Sequence, residues 1–115
     1  MSISKILLVD DEFTLVQALG VLVSLQDDMC ARIATDGENA LNIMDNEHID
    51  VLCTDYQMPG MDGLELIREA HKKDPELPVI IITGAENVKA PAGVPILRKP
   101  FNKDALIQMI RGALL

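Results

Sequence analysis

The chain has 115 residues and a formal net charge of −8, with 10 Lys and Arg residues against 18 Asp and Glu residues. This length fits a single domain with one hydrophobic core, because two smaller units would each bury little apolar surface. The acidic balance argues against direct binding of nucleic acid, since phosphate backbones are held by clustered Lys and Arg. The apolar runs are too short to cross a bilayer and no export signal precedes them, so we expect a cytoplasmic protein without membrane association.

The first half of the chain alternates between strand and helix patterns. Residues 5–9 (KILLV) form a short continuous apolar run, which is typical of a strand buried on both faces. Apolar residues recur at helical spacing over 13–25 and predict a first helix. Residues 29–34 predict a second strand, and Asp36 is the predicted N-cap of a second helix.

A third strand pattern leads into a carboxylate and a turn. Residues 51–53 are apolar, and Asp55 follows them at the start of a stretch that contains one proline and two glycines. Asp62 and Glu65 then form a capping-box pattern, which predicts the start of a third helix.

The second half of the chain continues the alternation. Residues 77–82 (LPVIII) are the most hydrophobic predicted strand, and 94–98 predict a fifth strand. Asn102 is the predicted N-cap of a final helix that carries a clear apolar stripe.

Five buried strands separated by helices predict a doubly wound α/β fold. Parallel neighbours need crossover connections, so the pattern indicates a parallel sheet with helices on both faces. Ligands of such sheets bind at the carboxyl ends of the strands. A functional site is therefore expected at that edge.

Polar groups follow four of the five predicted strands at this edge: Asp10 and Asp11, Asp55, Thr83, and Lys99. Carboxylates brought together repel each other by about 1 to 4 kcal/mol per pair at 4 Å. A hard divalent cation such as Mg²⁺ would offset the repulsion and leave a coordination position for a phosphoryl oxygen. A carboxylate nucleophile, a metal, an ammonium and a hydroxyl are the groups that phosphoryl transfer requires. Each group alone has an ordinary explanation as a cap, a turn residue or a solvated charge, but their joint placement favours a site.

The chain resembles the receiver domains of two-component response regulators. The resemblance covers nearly the whole chain and is carried by four segments: ILLVDDE at 6–12, DYQMPGMDG at 55–63, VIIITG at 79–84 and KPF at 99–101. It implies a flavodoxin-like sheet with strand order 2-1-3-4-5. It also implies one receiver domain over residues 1–115 that is regulatory and catalyses only its own phosphorylation and dephosphorylation.

The resemblance assigns the acidic residues to a metal-assisted phosphoacceptor site. Asp55 would take a phosphoryl group from the phosphohistidine of a histidine kinase or a histidine phosphotransfer protein. Asp11 would bind Mg²⁺ directly, and Asp10 would hold a metal-bound water or help to position the ion. Asp55 itself and the backbone carbonyl of Gln57 would complete the protein ligands.

The resemblance gives catalytic roles to Asp55, Thr83 and Lys99. Thr83 would hydrogen-bond the phosphoryl group, and Lys99 would pair with the carboxylate and later with the phosphate. The bond between Lys99 and Pro100 matches a cis peptide of the family.

Two departures from the family fall on the surface that most receivers use to report phosphorylation. Only ten residues, 84–93, connect the fourth and fifth strands, so the fourth helix is predicted to be truncated or replaced by a loop. Ile96 stands where the family usually carries a switching Tyr or Phe. The hypothesis is that the chemistry is intact and the conformational readout is altered.

Alternatives from other functional classes remain. A Mg²⁺-dependent aspartyl phosphatase would need its nucleophile after the first strand in a DxD arrangement, whereas Asp10 and Asp11 are adjacent. A flavin carrier would need a phosphate-cradling loop at that point, which two acids oppose. An interaction module without productive phosphorylation is the third alternative.

The chain ends with its last helix, so the downstream effector would be another domain or another protein. The chain would be stand-alone, excised from a larger regulator or part of a hybrid kinase.

Overall fold

The computed structural model describes residues 2–115 and contains five strands and four helices within them. In chain order these are β1 (Ser4–Val9), α1 (Phe13–Ser24), β2 (Met29–Ala34), α2 (Gly37–Asn46), β3 (Val51–Thr54), α3 (Gly63–Lys73), β4 (Val79–Thr83), β5 (Ile96–Arg98) and α4 (Lys103–Ala113).

The strands form one parallel sheet in the order β2-β1-β3-β4-β5. This arrangement confirms the predicted doubly wound fold and its strand order. The order reverses between β1 and β3, so the carboxyl ends of these two strands flank the crevice in which ligands of such sheets bind.

Alternate residues of each central strand pack on opposite faces of the sheet. Ile6 and Leu8 of β1 join a core cluster with α1 and α4, whereas Leu7 and Val9 join a second cluster with α2 and α3. Both faces are therefore covered by helices. This explains why the strand sequences are continuous apolar runs rather than alternating ones.

Three helices begin with the side-chain caps that the sequence predicts. The backbone N–H groups of Asn39, Glu65 and Ala105 donate hydrogen bonds of 2.8, 2.9 and 2.8 Å. Their acceptors are the side-chain oxygens of Asp36, Asp62 and Asn102, respectively. Each bond satisfies one donor that the first turn of a helix leaves without a backbone partner.

The fourth and fifth strands begin later in the sequence than predicted. Pro78 and Pro95 each precede a strand and have no amide hydrogen to donate to the sheet. Their carbonyl groups still accept bonds of 3.0 Å from Leu52 and Ile81. The strands consequently begin at Val79 and Ile96.

The connection between β4 and β5 contains no helix anywhere in residues 84–95, all of which the structure describes. The shortened fourth helix that the sequence suggested is therefore not formed, and the alternative, a loop, is correct. Pro91 and Pro95 remove two amide donors from this stretch, and Gly93 has a left-handed φ of +81°. A helix cannot propagate through that combination.

No helix within residues 2–115 is both long enough and apolar enough to cross a bilayer.

Candidate functional site

Three carboxylates meet at the carboxyl edge of the sheet, as the sequence predicts. Asp10 directly follows β1, Asp11 is the next residue, and Asp55 follows β3. One carboxylate oxygen from each of the three lies within 4.8 Å of the others. Asp10 and Asp55 are only 2% and 8% exposed, whereas Asp11 is exposed. Two acids are thus largely removed from water beside a third that faces it.

The main chain around Asp55 is held by bonds to the neighbouring strand and to its own turn. The backbone N–H of Asp55 donates to the carbonyl of Val9 over 3.0 Å. The backbone N–H of Tyr56 donates to Asp55 Oδ1 over 2.7 Å. Gly63 then donates to the carbonyl of Tyr56 over 3.0 Å, which closes the turn before α3. A β carbon on Gly63 would lie 2.2 Å from the carbonyl oxygen of Asp55, so only glycine fits there.

Lys99 supplies a positive charge between two of the acids. Its Nζ lies 2.9 Å from Asp10 Oδ2 and 3.4 Å from Asp55 Oδ2. Partial burial by itself would lower the pKa of Lys99, but the hydrogen bond and charge of Asp10, followed by those of Asp55, outweigh it and raise that pKa. Lys99 therefore stays charged and offsets part of the repulsion in the cluster. The Lys99–Pro100 peptide bond is cis, as the resemblance implied.

Thr83 ends β4 with its side chain almost completely buried, at 2% exposure. Its hydroxyl oxygen accepts a bond of 3.1 Å from the backbone N–H of Ala85, and its carbonyl accepts one of 2.9 Å from the N–H of Lys99. A hydroxyl has one donor hydrogen as well as its acceptor positions. The bond from Ala85 therefore leaves the hydrogen of Thr83 available to a ligand.

Asp10 has both oxygens engaged. Its Oδ1 accepts a bond of 2.9 Å from the backbone N–H of Glu12, and its Oδ2 contacts Lys99. The first bond shows that Asp10 also shapes the turn into α1. Asp10 therefore belongs to the acidic cluster and also stabilises the turn that leads into α1.

Gln57 lies two residues beyond Asp55 with an exposed side chain. Its predicted contribution is a backbone carbonyl, which the cluster of acidic side chains does not include. A metal contact from Gln57 stays a prediction.

Two further residues at this edge were not identified from the sequence. The hydroxyl oxygen of Tyr56 accepts a bond of 3.3 Å from the backbone N–H of Lys89. The guanidinium of Arg98 donates to the carbonyl of Ala85 and, over 3.5 Å, to that of Glu86. Tyr56 is the single tyrosine of the chain and directly follows Asp55, but no pattern predicts a bond between residues 33 positions apart.

The donor set suits a hard divalent cation. Carboxylate oxygens are the ligands that Mg²⁺ prefers, and three acids against one lysine leave an excess of negative charge. The exposed carboxylate of Asp11 gives access from solvent. The chemistry of these residues therefore fits Mg²⁺.

A family model described as "Response regulator receiver domain" matches residues 6–111. The chain is 36% identical to the C4-dicarboxylate transport transcriptional regulatory protein DctD of Pseudomonas aeruginosa, over 96% of the chain and 25% of that protein. It is 33% identical to the transcriptional regulatory protein GlrR of Escherichia coli, over 96% of the chain and 26% of that protein. The chain thus spans about a quarter of the length of these curated relatives.

Solved structures agree with the family match. A receiver domain protein from Clostridium thermocellum superposes with a TM-score of 0.88 at 32% identity, covering 97% of this chain and 94% of that one. The response regulator TrrA from Thermotoga maritima, in complex with Mg²⁺ and BeF, superposes with a TM-score of 0.87 at 27% identity, covering 97% and 100% of the two chains. By sequence, fold and the acidic cluster at the sheet edge, the chain belongs to the receiver domains of two-component response regulators.

Proposed function

We propose that this receiver domain accepts a phosphoryl group on Asp55 from the phosphohistidine of a histidine kinase or a histidine phosphotransfer protein. The observation that carries the proposal is the cluster of Asp10, Asp11 and Asp55 within 4.8 Å, with the Lys99 ammonium 2.9 and 3.4 Å from two of its members. This proximity supports a role for Asp55 as the nucleophile, for the acidic cluster as the cation-binding group and for Lys99 as a fixed positive charge.

The transfer step follows from the chemistry of the carboxylate. A carboxylate oxygen of Asp55 attacks phosphorus, and the P–N bond of the donor breaks with its electron pair returning to the imidazole nitrogen. The product is an acyl phosphate on Asp55 and a free histidine on the donor. The domain contributes positioning and charge stabilisation rather than turnover of a separate substrate, so it promotes only its own phosphorylation and dephosphorylation.

Asp10, Asp11, Asp55 and the carbonyl of Gln57 would hold Mg²⁺. When bound, the ion supplies positive charge against the phosphoryl oxygens and the acidic cluster. Asp11 is the best direct ligand because its carboxylate is exposed and free of the contact that Lys99 makes with its neighbour.

Thr83 and Lys99 would contact the phosphoryl group after transfer. The hydroxyl hydrogen of Thr83 is not used by its bond from Ala85, so it can donate to a phosphoryl oxygen while that bond persists. Lys99 already faces Asp55 Oδ2, and its ammonium can follow the negative charge from the carboxylate to the phosphate.

The proposed setting is that of a single regulatory domain in the cytoplasm. Its partners would be a phosphohistidine donor and a downstream effector domain or protein that detects a conformational change. Its net charge of −8 opposes direct contact with nucleic acid and supports a protein partner instead.

Mass spectrometry after incubation with Mg²⁺ and acetyl phosphate tests the proposal. Wild type should gain one phosphoryl group, and chelation of Mg²⁺ or the Asp55→Asn variant should abolish the gain. Asp62→Asn is the matched control, because it removes an acid from the same loop outside the cluster and should leave the label in place. Equal labelling of wild type and Asp55→Asn would refute the proposal, and absence of any label would support the interaction-module alternative.

A further inference from the structure

Besides the bond that its carbonyl accepts from Gly63, Tyr56 makes two hydrogen bonds that join it to separate parts of the chain. Its backbone N–H donates to Asp55 Oδ1 over 2.7 Å, and its phenol oxygen accepts from the backbone N–H of Lys89 over 3.3 Å. The ring is half-buried and packs against the core cluster between the sheet and helices α2 and α3. Tyr56 thus joins the phosphoacceptor to the loop that replaces the fourth helix.

This loop, residues 84–95, is fastened to the site at two points in its first half. Near its start, the N–H of Ala85 bonds the hydroxyl of Thr83, and Arg98 holds the carbonyl of Ala85. Four residues later, the N–H of Lys89 bonds Tyr56. The apolar residues Val88, Ala90 and Val94 of the loop pack against the same core cluster as the tyrosine ring.

Strand β5 has no aromatic side chain that could link Asp55 to the 84–95 loop. The side chain of Ile96 in β5 has no polar atom and cannot form a hydrogen bond. The other aromatic residues are Phe13 and Phe101. Phe13 belongs to α1, and Phe101 packs against the opposite core cluster. Among the described residues, Tyr56 is therefore the one aromatic group that packs on the same face as the loop.

Phosphorylation of Asp55 changes the bond that Tyr56 makes. A carboxylate oxygen accepts a charge-assisted hydrogen bond, which is about twice as strong as a neutral one. Conversion of Asp55 to an acyl phosphate removes the negative charge from the carboxyl group and places new charge on the phosphoryl oxygens. The attraction that holds the Tyr56 N–H is then weaker, so one restraint on the main chain of this residue is relaxed and its phenol can adjust with it, while its carbonyl stays bonded to Gly63.

We propose that Tyr56 is a positioning residue that couples the phosphorylation state of Asp55 to the 84–95 loop through its phenol. The inference rests on the proposed function of Asp55. The 84–95 loop, rather than a side chain of β5, is then the element that reports phosphorylation. Lys89, Ala90 and Pro91 also line a cleft of about 340 Å³ opposite Ile67 of α3, so the coupled change reaches a surface open to a partner.

The test compares two variants of the full chain by amide NMR, with and without saturating Mg²⁺ and beryllofluoride as the phosphoryl mimic. Tyr56→Phe removes the phenol oxygen and keeps the ring. Lys89→Ala is the matched control, because it removes the lysine side chain and keeps the backbone N–H that forms the bond. In wild type and Lys89→Ala, we expect beryllofluoride to shift the amide signals of 83–85 and of 88–90.

In Tyr56→Phe, the signals of 83–85 should shift as in wild type, whereas those of 88–90 should shift by less than half as much. A tyrosine with a purely structural role would not separate the two groups of signals. Shifts of 88–90 as large as in wild type would overturn the inference and leave the proposed function standing. If wild type neither binds beryllofluoride nor gains a phosphoryl group from acetyl phosphate, the proposed function fails and the inference fails with it.

Discussion

The ammonium of Lys99 lies 3.4 Å from Asp55 Oδ2, although 44 residues separate them in sequence. The contact arises because β3 and β5 lie in one parallel sheet, so their carboxyl ends reach the same edge. It gives Lys99 two roles that oppose each other. The ammonium offsets the repulsion between the acids, and it competes with any cation that they bind.

Replacing Lys99 should therefore strengthen metal binding while it weakens phosphoryl transfer. Lys99→Met is expected to bind Mg²⁺ about five-fold more tightly or better, because at least about 1 kcal/mol of charge repulsion between Lys99 and the ion is removed. Its rate of labelling by acetyl phosphate should fall. Calorimetric titration with Mg²⁺ measures the first effect. Lys103→Met removes the same charge from a lysine without an ion pair among the described residues, and equal affinities in the two variants would contradict the account.

Gly63 is expected to be essential for the geometry of Asp55. A β carbon there would lie 2.2 Å from the carbonyl oxygen of Asp55 and 3.0 Å from Tyr56 Cα, both of them main-chain atoms that cannot rotate away. Gly63→Ala should cost about 1 to 3 kcal/mol in the free energy of unfolding and should reduce labelling. Gly112→Ala is the control, because its β carbon meets nothing within 4 Å in α4, and it should stabilise the chain by up to about 1 kcal/mol. Urea unfolding of the two variants gives the comparison.

Glu47 should make stability depend on pH in the acidic range. Desolvation pushes the pKa of Glu47 up, but Lys5 and Arg32, at 3.2 and 2.8 Å, outweigh it and hold the pKa below its ordinary value of 4.5. A lowered pKa in the folded state gives stability that is present above pH 4.5 and is lost as the pH falls through the folded value.

Glu47→Gln should consequently lose stability at neutral pH and show a flatter decline below pH 4.5 than wild type. Urea midpoints measured across this range test the expectation. Glu76→Gln is the control, since Glu76 forms no ion pair with any described residue. A decline in Glu47→Gln as steep as that of wild type would show that the contacts with Lys5 and Arg32 do not matter.

Cys53 offers a chemical probe of site occupancy. Burial raises the pKa of the Cys53 thiol to about 12, so the thiol is protonated at neutral pH and shielded within β3. In a Cys30→Ser background, its alkylation should require unfolding and should be slowed by Mg²⁺ with beryllofluoride, because ligand binding stabilises the folded state. Addition of Asp55→Asn should remove that protection. Rapid alkylation of Cys53 that does not respond to ligand would contradict the burial argument.

Local chemistry explains why much of this fold was predictable. The caps at Asp36, Asp62 and Asn102 depend on side chains that bond the backbone three residues away, which a sequence displays directly. The proximity of the three acidic residues was predictable because the carboxyl ends of parallel strands lie at the same edge of a sheet. The roles of the individual site residues rest on resemblance and stay proposals.

The 84–95 loop was less predictable because nothing local specifies its conformation. The ten-residue length of the connection over 84–93 excluded a long helix, but it did not indicate whether a short helix or a loop would form. The bond from Lys89 to Tyr56 joins distant parts of the chain and involves a backbone group, which carries no signal in sequence. The conformation of this loop and its bond to Tyr56 were therefore visible only in three dimensions.

Reductive trapping of the acyl phosphate tests the central claim most directly. Borohydride converts a phosphorylated aspartate to homoserine, and peptide sequencing by mass spectrometry then locates the modified position. After incubation with Mg²⁺ and acetyl phosphate, we predict homoserine at position 55 and at no other aspartate. Homoserine at Asp10, at Asp11 or at no position would contradict the assignment of Asp55 as the phosphoacceptor.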